Sequence, residues 1–145
     1  MKNITNDALI RSLGWRYATK KFDPSKRISE ADWATLEKAL ILSPSSFGLQ
    51  PWKFVVITSP EIKAKLPGIS WNQTQPAECS HVVVFAARKS LDEAFVDKFL
   101  AHSAKVRATS IESLDGCKQF IMGSVQATEG HHLEWSARET YIALG

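Results

Sequence analysis

The sequence predicts an α+β fold. Two apolar runs with strand character, Lys53–Thr58 and His81–Ala87, stand among five or six segments with helical spacing, several of them opened by good capping residues. The chain has 145 residues and 44% hydrophobic content, the size of one ordinary domain, and folding at this length hides roughly two-thirds of the unfolded surface. A single domain over residues 1–145 is therefore expected.

Asn6 or Asp7 is placed to cap a first helix carrying Leu9, Ile10 and Leu13 on one face. Basic residues follow: Arg16, Lys20, Lys21, Lys26 and Arg27 are opposed only by Asp23, and Asp23-Pro24 marks a turn. Ser29 caps a second helix, with Asp32 at its third position and Ile28 able to staple onto Trp33. Trp33, Leu36, Leu40 and Ile41 keep one apolar stripe until Pro44 breaks it. Lys53–Thr58 then reads as a strand, Pro60 to Leu66 as a short helix, and Pro67-Gly68 as its stop.

After a polar loop through Asn72–Pro76, His81–Ala87 reads as a second strand, buried on both faces and central in its sheet. Ser90 with Glu93 makes a capping box for a helix carrying Phe95, Phe99, Leu100 and Val106. A further helix is expected around Cys117 to Val125. From His131 onward Leu133, Ala137, Tyr141, Ile142 and Leu144 follow helical spacing to Gly145. Two strands leave both edges of a sheet open, so more strand is expected than these runs supply.

Composition removes several classes. A charge of +3, from 18 Lys and Arg against 15 Asp and Glu, is too mild to require a nucleic acid or a membrane as partner. Cys79 and Cys117 form no CxxC pair and nothing resembles a secretory leader, which points to a reduced, cytoplasmic setting. The longest apolar run falls well short of the ~20 residues that span a bilayer. His131 and His132 are adjacent and cannot share a helix face, while His81 and His102 lack nearby ligands, so no metal site is expected. GxGxxG, GxxxxGK[ST] and GxSxG are all absent.

Two constellations carry chemistry. In Arg16-Tyr17-Ala18-Thr19-Lys20, Arg16 and Lys20 would share one face if the chain were helical there, a bidentate phosphate ligand beside a mobile point charge. Taken alone, such a cluster is most often solvated surface. In Ser43-Pro44-Ser45-Ser46-Phe47-Gly48-Leu49-Gln50-Pro51-Trp52, hydroxyls, a glycine and the Gln50 amide could meet the edge of a heteroaromatic ring. Alone it reads first as a helix-to-strand connection with Trp52 in the core.

In this order, Arg-x-x-Thr-Lys-x-Phe-Asp, a capped helix, then Ser-Pro-Ser-Ser-x-x-x-Gln-Pro-Trp leading into Phe-Val-Val-Ile, the chain resembles the FMN-dependent nitroreductase family over essentially all of its length. The resemblance implies an α-β-α sandwich, with a central, mainly antiparallel sheet flanked by helices and its C-terminal strands missing. It implies that Arg16 and Lys20 hold the FMN phosphate and ribityl chain, with Tyr17 and Ala18 contributing mainly backbone; relatives commonly carry Ser where Ala18 stands. Pro44, Ser45, Ser46, Gly48 and Gln50 match the loop that reaches the flavin from the other subunit of a homodimer, where many relatives carry Asn in place of Gly48. Asn72 and Gln75 match positions at the flavin ring edge and ribityl chain, the second being Lys in several relatives. Trp135 and Tyr141–Gly145 resemble the start of the central helix of the dimer interface, so the chain is expected to end within that helix.

The reaction implied is ping-pong: NAD(P)H reduces FMN and leaves, and a nitroaromatic, quinone or similar small acceptor takes the electrons. The cofactor carries that chemistry, so no side chain is assigned as catalytic acid or base. Charge-assisted hydrogen bonds from Arg16 and Lys20 supply about 3–6 kcal/mol together, against about 12 kcal/mol for nanomolar affinity. Weakened FMN binding is expected on that count. The alternative is a noncatalytic, dimerising scaffold that holds no flavin.

Overall fold

The computed structural model describes residues 4–145. Its elements in chain order are α1 (Asn6–Trp15), α2 (Glu30–Ile41), β1 (Trp52–Ile57), α3 (Pro60–Lys63), α4 (Gln75–Glu78), β2 (Val82–Ala87), α5 (Glu93–Arg107), α6 (Asp115–Ala127) and α7 (His132–Leu144). Short 3-10 turns lie at Ser46–Gly48, Pro67–Ile69 and Glu112–Leu114. The two strands pair with each other in an antiparallel sheet, which places the chain in the α+β class. Two compact units result, one from the chain up to Arg27 with Thr58–Val82, the other from Ile28–Ile57 with Val83–Gly145.

In the first unit Thr5, not Asn6 or Asp7, caps α1 by accepting the Ala8 N–H at 3.2 Å. Asp7 instead sits in the first turn, where its charge suits the helix dipole. Residues 16–29 are not helical, and Asp23 closes a turn by accepting both the N–H and the hydroxyl of Ser25 at 3.0 and 2.6 Å. Those two bonds hold the Asp23 carboxyl below its usual value. The Phe22 N–H donates to Glu78 Oε2 at 3.0 Å and the Arg27 guanidinium to the Ser80 carbonyl at 3.3 Å, tying the basic segment to the later part of this unit.

Lys63 is buried, and its ammonium donates to the carbonyls of Cys79 and Ser80 just past α4. The short helix expected from Pro60 to Leu66 ends at Lys63, and Pro67-Gly68 opens a 3-10 turn of its own. Gln75 and Pro76, expected in a loop, begin α4, where proline is tolerated because the first helical N–H groups have no internal partner.

In the second unit Ser29 and Asp32 form the expected reciprocal cap, with the Asp32 N–H donating to Ser29 Oγ at 3.1 Å and the hydroxyl donating back at 2.7 Å. The cap of α5 is Asp92 rather than Ser90, accepting the Phe95 N–H at 2.8 Å. Leu49, Leu91, Val96, Leu100, Ile121 and Val125 form the core, with Phe95, Phe99 and Trp135 packed partly against it. Val106, expected on the core face of α5, is 70% exposed. Lys118 on α6 bridges Glu93 and Asp97 on α5 at 2.8 and 2.7 Å, and the two carboxylates raise its pKa.

His132 joins three parts of this unit. Its Nδ1 accepts the Leu91 N–H at 3.1 Å, so the proton sits on Nε2, which faces the Val125 carbonyl at 2.9 Å. Phe54 of β1 meets Phe85 of β2 edge to face at 5.0 Å, a cross-strand pair that sets the register. β2 is half-buried rather than enclosed on both faces, with Val84 42% exposed. The largest departure is α7: it buries Ser136, Glu139, Thr140 and Ala143 and exposes Leu133, Tyr141, Ile142 and Leu144.

Candidate functional site

The loop after α2 is built from strained backbone held by many bonds. Phe47, Gly48 and Gln50 have φ of 59°, 76° and 46°, the left-handed region that only glycine enters without cost. Such residues cost on the order of 1–3 kcal/mol each and persist only where surrounding contacts dictate them. Here the Gln50 N–H donates to Ser45 Oγ at 2.8 Å, and Gln50 Nε2 donates to the Ile41 and Ser43 carbonyls at 2.8 and 3.2 Å. The first of these satisfies an orphan carbonyl at the end of α2, and the second ties down the chain just past it. The Gln50 side-chain amide protons thus serve the fold, and its oxygen is left for other partners.

Ser46 is anchored from a distance of ninety-three residues. Its N–H and its hydroxyl donate to the two carboxylate oxygens of Glu139 at 2.8 and 2.6 Å. Glu139 is 5% exposed, and no cation pairs with it among the described residues. This residue was not legible as a site residue, because its side chain meets the loop only through the tertiary fold. The available sign was the run of small residues Ser136, Thr140 and Ala143 on its helix face, which lets a backbone approach closely.

Phe47 packs edge to face on Phe120 at 5.6 Å and, with Leu49, Val125 and Trp135, lines a cavity of about 200 Å³. On the other side of the loop an open groove of about 580 Å³ runs along Gly48 and Gln50, with Phe95 and Phe99 in its wall and Lys98 and His102 along it. A Cβ added at Gly48 would meet only the Phe99 ring, at 3.7 Å, so the glycine answers to its φ rather than to crowding.

The first unit holds the other expected residues. Arg16, Tyr17, Ala18 and Lys20 lie exposed in non-helical chain, so Arg16 and Lys20 do not share a helix face. Neither makes an ion pair among the described residues. Trp71 and Asn72 take left-handed backbone, φ 50° and 57°, in a turn closed by the Asn72 N–H donating to the Pro67 carbonyl at 2.9 Å. Asn72 is exposed and Gln75, in the first turn of α4, half-buried. The side-chain amides of both are uncommitted among the described residues. There, too, no group of three acidic, His or Cys side chains gathers as metal ligands, and no helix is long and apolar enough to cross a membrane.

Against known proteins, the model of the Nitroreductase family matches residues 13–143. The chain is 34% identical over 143 residues to a protein of Staphylococcus haemolyticus that carries an NAD(P)H nitroreductase name, covering 95% of this chain and 66% of that protein. It thus spans just under two-thirds of that relative's length. A solved nitroreductase-like protein from Streptococcus mutans superposes with a TM-score of 0.77 at 17% identity, over 97% of this chain and 69% of the other. A nitroreductase-type structure from Exiguobacterium sibiricum, solved in complex with FMN, gives 0.74 at 21% identity, over 93% and 65%. At these identities the structural likeness speaks to the fold alone.

Proposed function

Because this chain belongs to the nitroreductase family, we propose that it serves an FMN-dependent oxidoreductase taking electrons from NAD(P)H. The observation that supports this reading is the chemistry of the uncommitted groups at the positions assigned to the flavin. Arg16 and Lys20 are cations without partners, and Asn72 and Gln75 carry amides without partners among the described residues. A phosphate needs the first pair, and the mixed donors and acceptors of a heteroaromatic ring need the second. The donor set therefore fits FMN.

In this reading Arg16 and Lys20 hold the phosphate and ribityl chain, with Tyr17 and Ala18 lending backbone, while Asn72 and Gln75 orient the ring edge. Pro44, Ser45, Ser46, Gly48 and Gln50 serve the cofactor of the partner subunit in a homodimer. The exposed Tyr141, Ile142 and Leu144 on α7 support that dimer. The chemistry a bound FMN supplies is acceptance of a hydride from NAD(P)H and, after the nicotinamide has left, delivery of the electrons to a nitroaromatic, quinone or similar acceptor. Phe95 and Phe99 give that acceptor an aromatic wall beside the loop.

The test is reconstitution. Purified chain mixed with FMN and passed over a desalting column should elute with a flavin absorption band and should oxidise NADPH when a quinone is present. Colourless protein that leaves NADPH untouched would sink the reading.

A further inference from the structure

We propose that Glu139 is a positioning residue for the flavin-facing loop: its buried carboxylate seats Ser46 and fixes the direction in which the Ser46 hydroxyl points its proton. The proposal rests on the flavin reading above. A carboxylate only accepts, so both bonds between these residues take their protons from Ser46, one from N–H at 2.8 Å and one from Oγ–H at 2.6 Å. Ser46 is an exposed residue, and with its single proton turned inward its hydroxyl has only lone pairs left for a ligand. Ser45 is the reverse case. Its oxygen accepts the Gln50 N–H at 2.8 Å, and its proton has no acceptor among the described residues.

Two adjacent serines thus present opposite characters, a donor at Ser45 and an acceptor at Ser46. The pyrimidine edge of an oxidised flavin also alternates, with carbonyl acceptors on either side of one N–H donor. A loop of fixed polarity can tell that edge from one with the reverse pattern; two freely rotating hydroxyls cannot. The seat matters for shape as well, since the left-handed residues Phe47 and Gly48 follow Ser46 directly.

Glutamine at this position would fill the same space without burying a charge, and a buried carboxylate lacking a cation is costly. Packing alone therefore does not account for Glu139. Glu139→Gln keeps the shape but places an NH2 where an oxygen accepted, so the Ser46 hydroxyl must turn its proton outward.

The experiment measures FMN affinity by fluorescence titration of the full chain for wild type, Glu139→Gln, Ser46→Ala and the double variant. Amide hydrogen exchange is followed in parallel on the flavin-free chain, including Glu139→Ala. We expect Glu139→Gln to weaken FMN binding about tenfold, the scale of one good hydrogen bond. In the Ser46→Ala background the same change should alter affinity by less than about twofold, because the hydroxyl it acts through is gone. Without flavin, Glu139→Ala should speed exchange at Ser46, Gly48 and Leu49.

Wild-type affinity in Glu139→Gln, or equal losses in both backgrounds, overturns the proposal while leaving the flavin reading intact. A wild-type chain that binds no FMN, yet whose loop exchange still rises in Glu139→Ala, ends the flavin reading and with it the polarity argument, and leaves Glu139 as a structural seat only.

Discussion

The Ser43–Trp52 loop and the Arg16–Lys20 segment have neighbouring duties in the flavin reading, yet they are built in opposite ways. The loop is bent through three left-handed residues and held by bonds from Gln50, Ser45 and a buried carboxylate, so its shape is set before any ligand arrives. The segment is exposed, non-helical chain whose cations have no partners among the described residues. The loop carries its strain in the folded state and offers shape. The segment offers charge, and the cost of ordering its long side chains falls due when an anion binds.

The contrast can be broken most forcefully at the segment. Replacing Arg16 and Lys20 together by alanine should weaken FMN binding by roughly 10- to 150-fold per residue, the range of a charge-assisted hydrogen bond. Stability to urea should move by less than about 0.5 kcal/mol, as expected for exposed residues away from packing. Flavin titration and chemical denaturation on one sample check both halves. A double variant that unfolds much more easily would mean that the segment is structural after all.

The loop should answer in the other direction, with stability changing more than affinity. Gln50→Ala removes the donors to the Ile41 and Ser43 carbonyls and should cost about 1–2 kcal/mol. Gln50→Gly removes the same donors but relieves the φ of 46°, and should be about 1 kcal/mol more stable than the alanine variant. Equal stabilities would show that the backbone there is not strained, and the contrast with the segment would lose half its content.

What could be read from sequence divides along the same line. Local chemistry was legible: Ser29 with Asp32, the Asp23-Pro24 turn and the helix over Cys117–Val125 each depend on residues within a few positions of one another. Caps were misplaced by one or two residues at Thr5 and Asp92, where several oxygen-bearing side chains compete and the backbone decides. Burial on α7 was not legible. Periodicity favours its apolar side, but Ser136, Glu139 and Thr140 are inward, where Glu139 meets Ser46 in a contact that exists only in the fold. The same holds for the loop: its glycine and prolines announce a constrained turn, while the residues that spend the strain, Phe47 and Gln50, carry no local signature of φ > 0.

The smallest expected effect lies toward the far end of the basic segment, and it tests whether the turn there is held in solution. Asp23 accepts two bonds from Ser25, and they hold its folded-state pKa below the usual 3.8. A carboxyl lowered in the folded state adds stability that is present above its unfolded pKa and is lost as pH falls through the folded value. The Ser25 amide resonance should therefore titrate with a midpoint below 3.8, and Asp23→Asn, whose side-chain oxygen can still accept from Ser25, should abolish that titration while leaving neutral-pH stability nearly unchanged. Because Asp23 is fully exposed, the associated stability change should be small and salt-screened. A midpoint at or above 3.8 would mean that the Asp23–Ser25 turn is not held in solution, and the bonds from Phe22 to Glu78 and from Arg27 to Ser80 would then be left to anchor the segment.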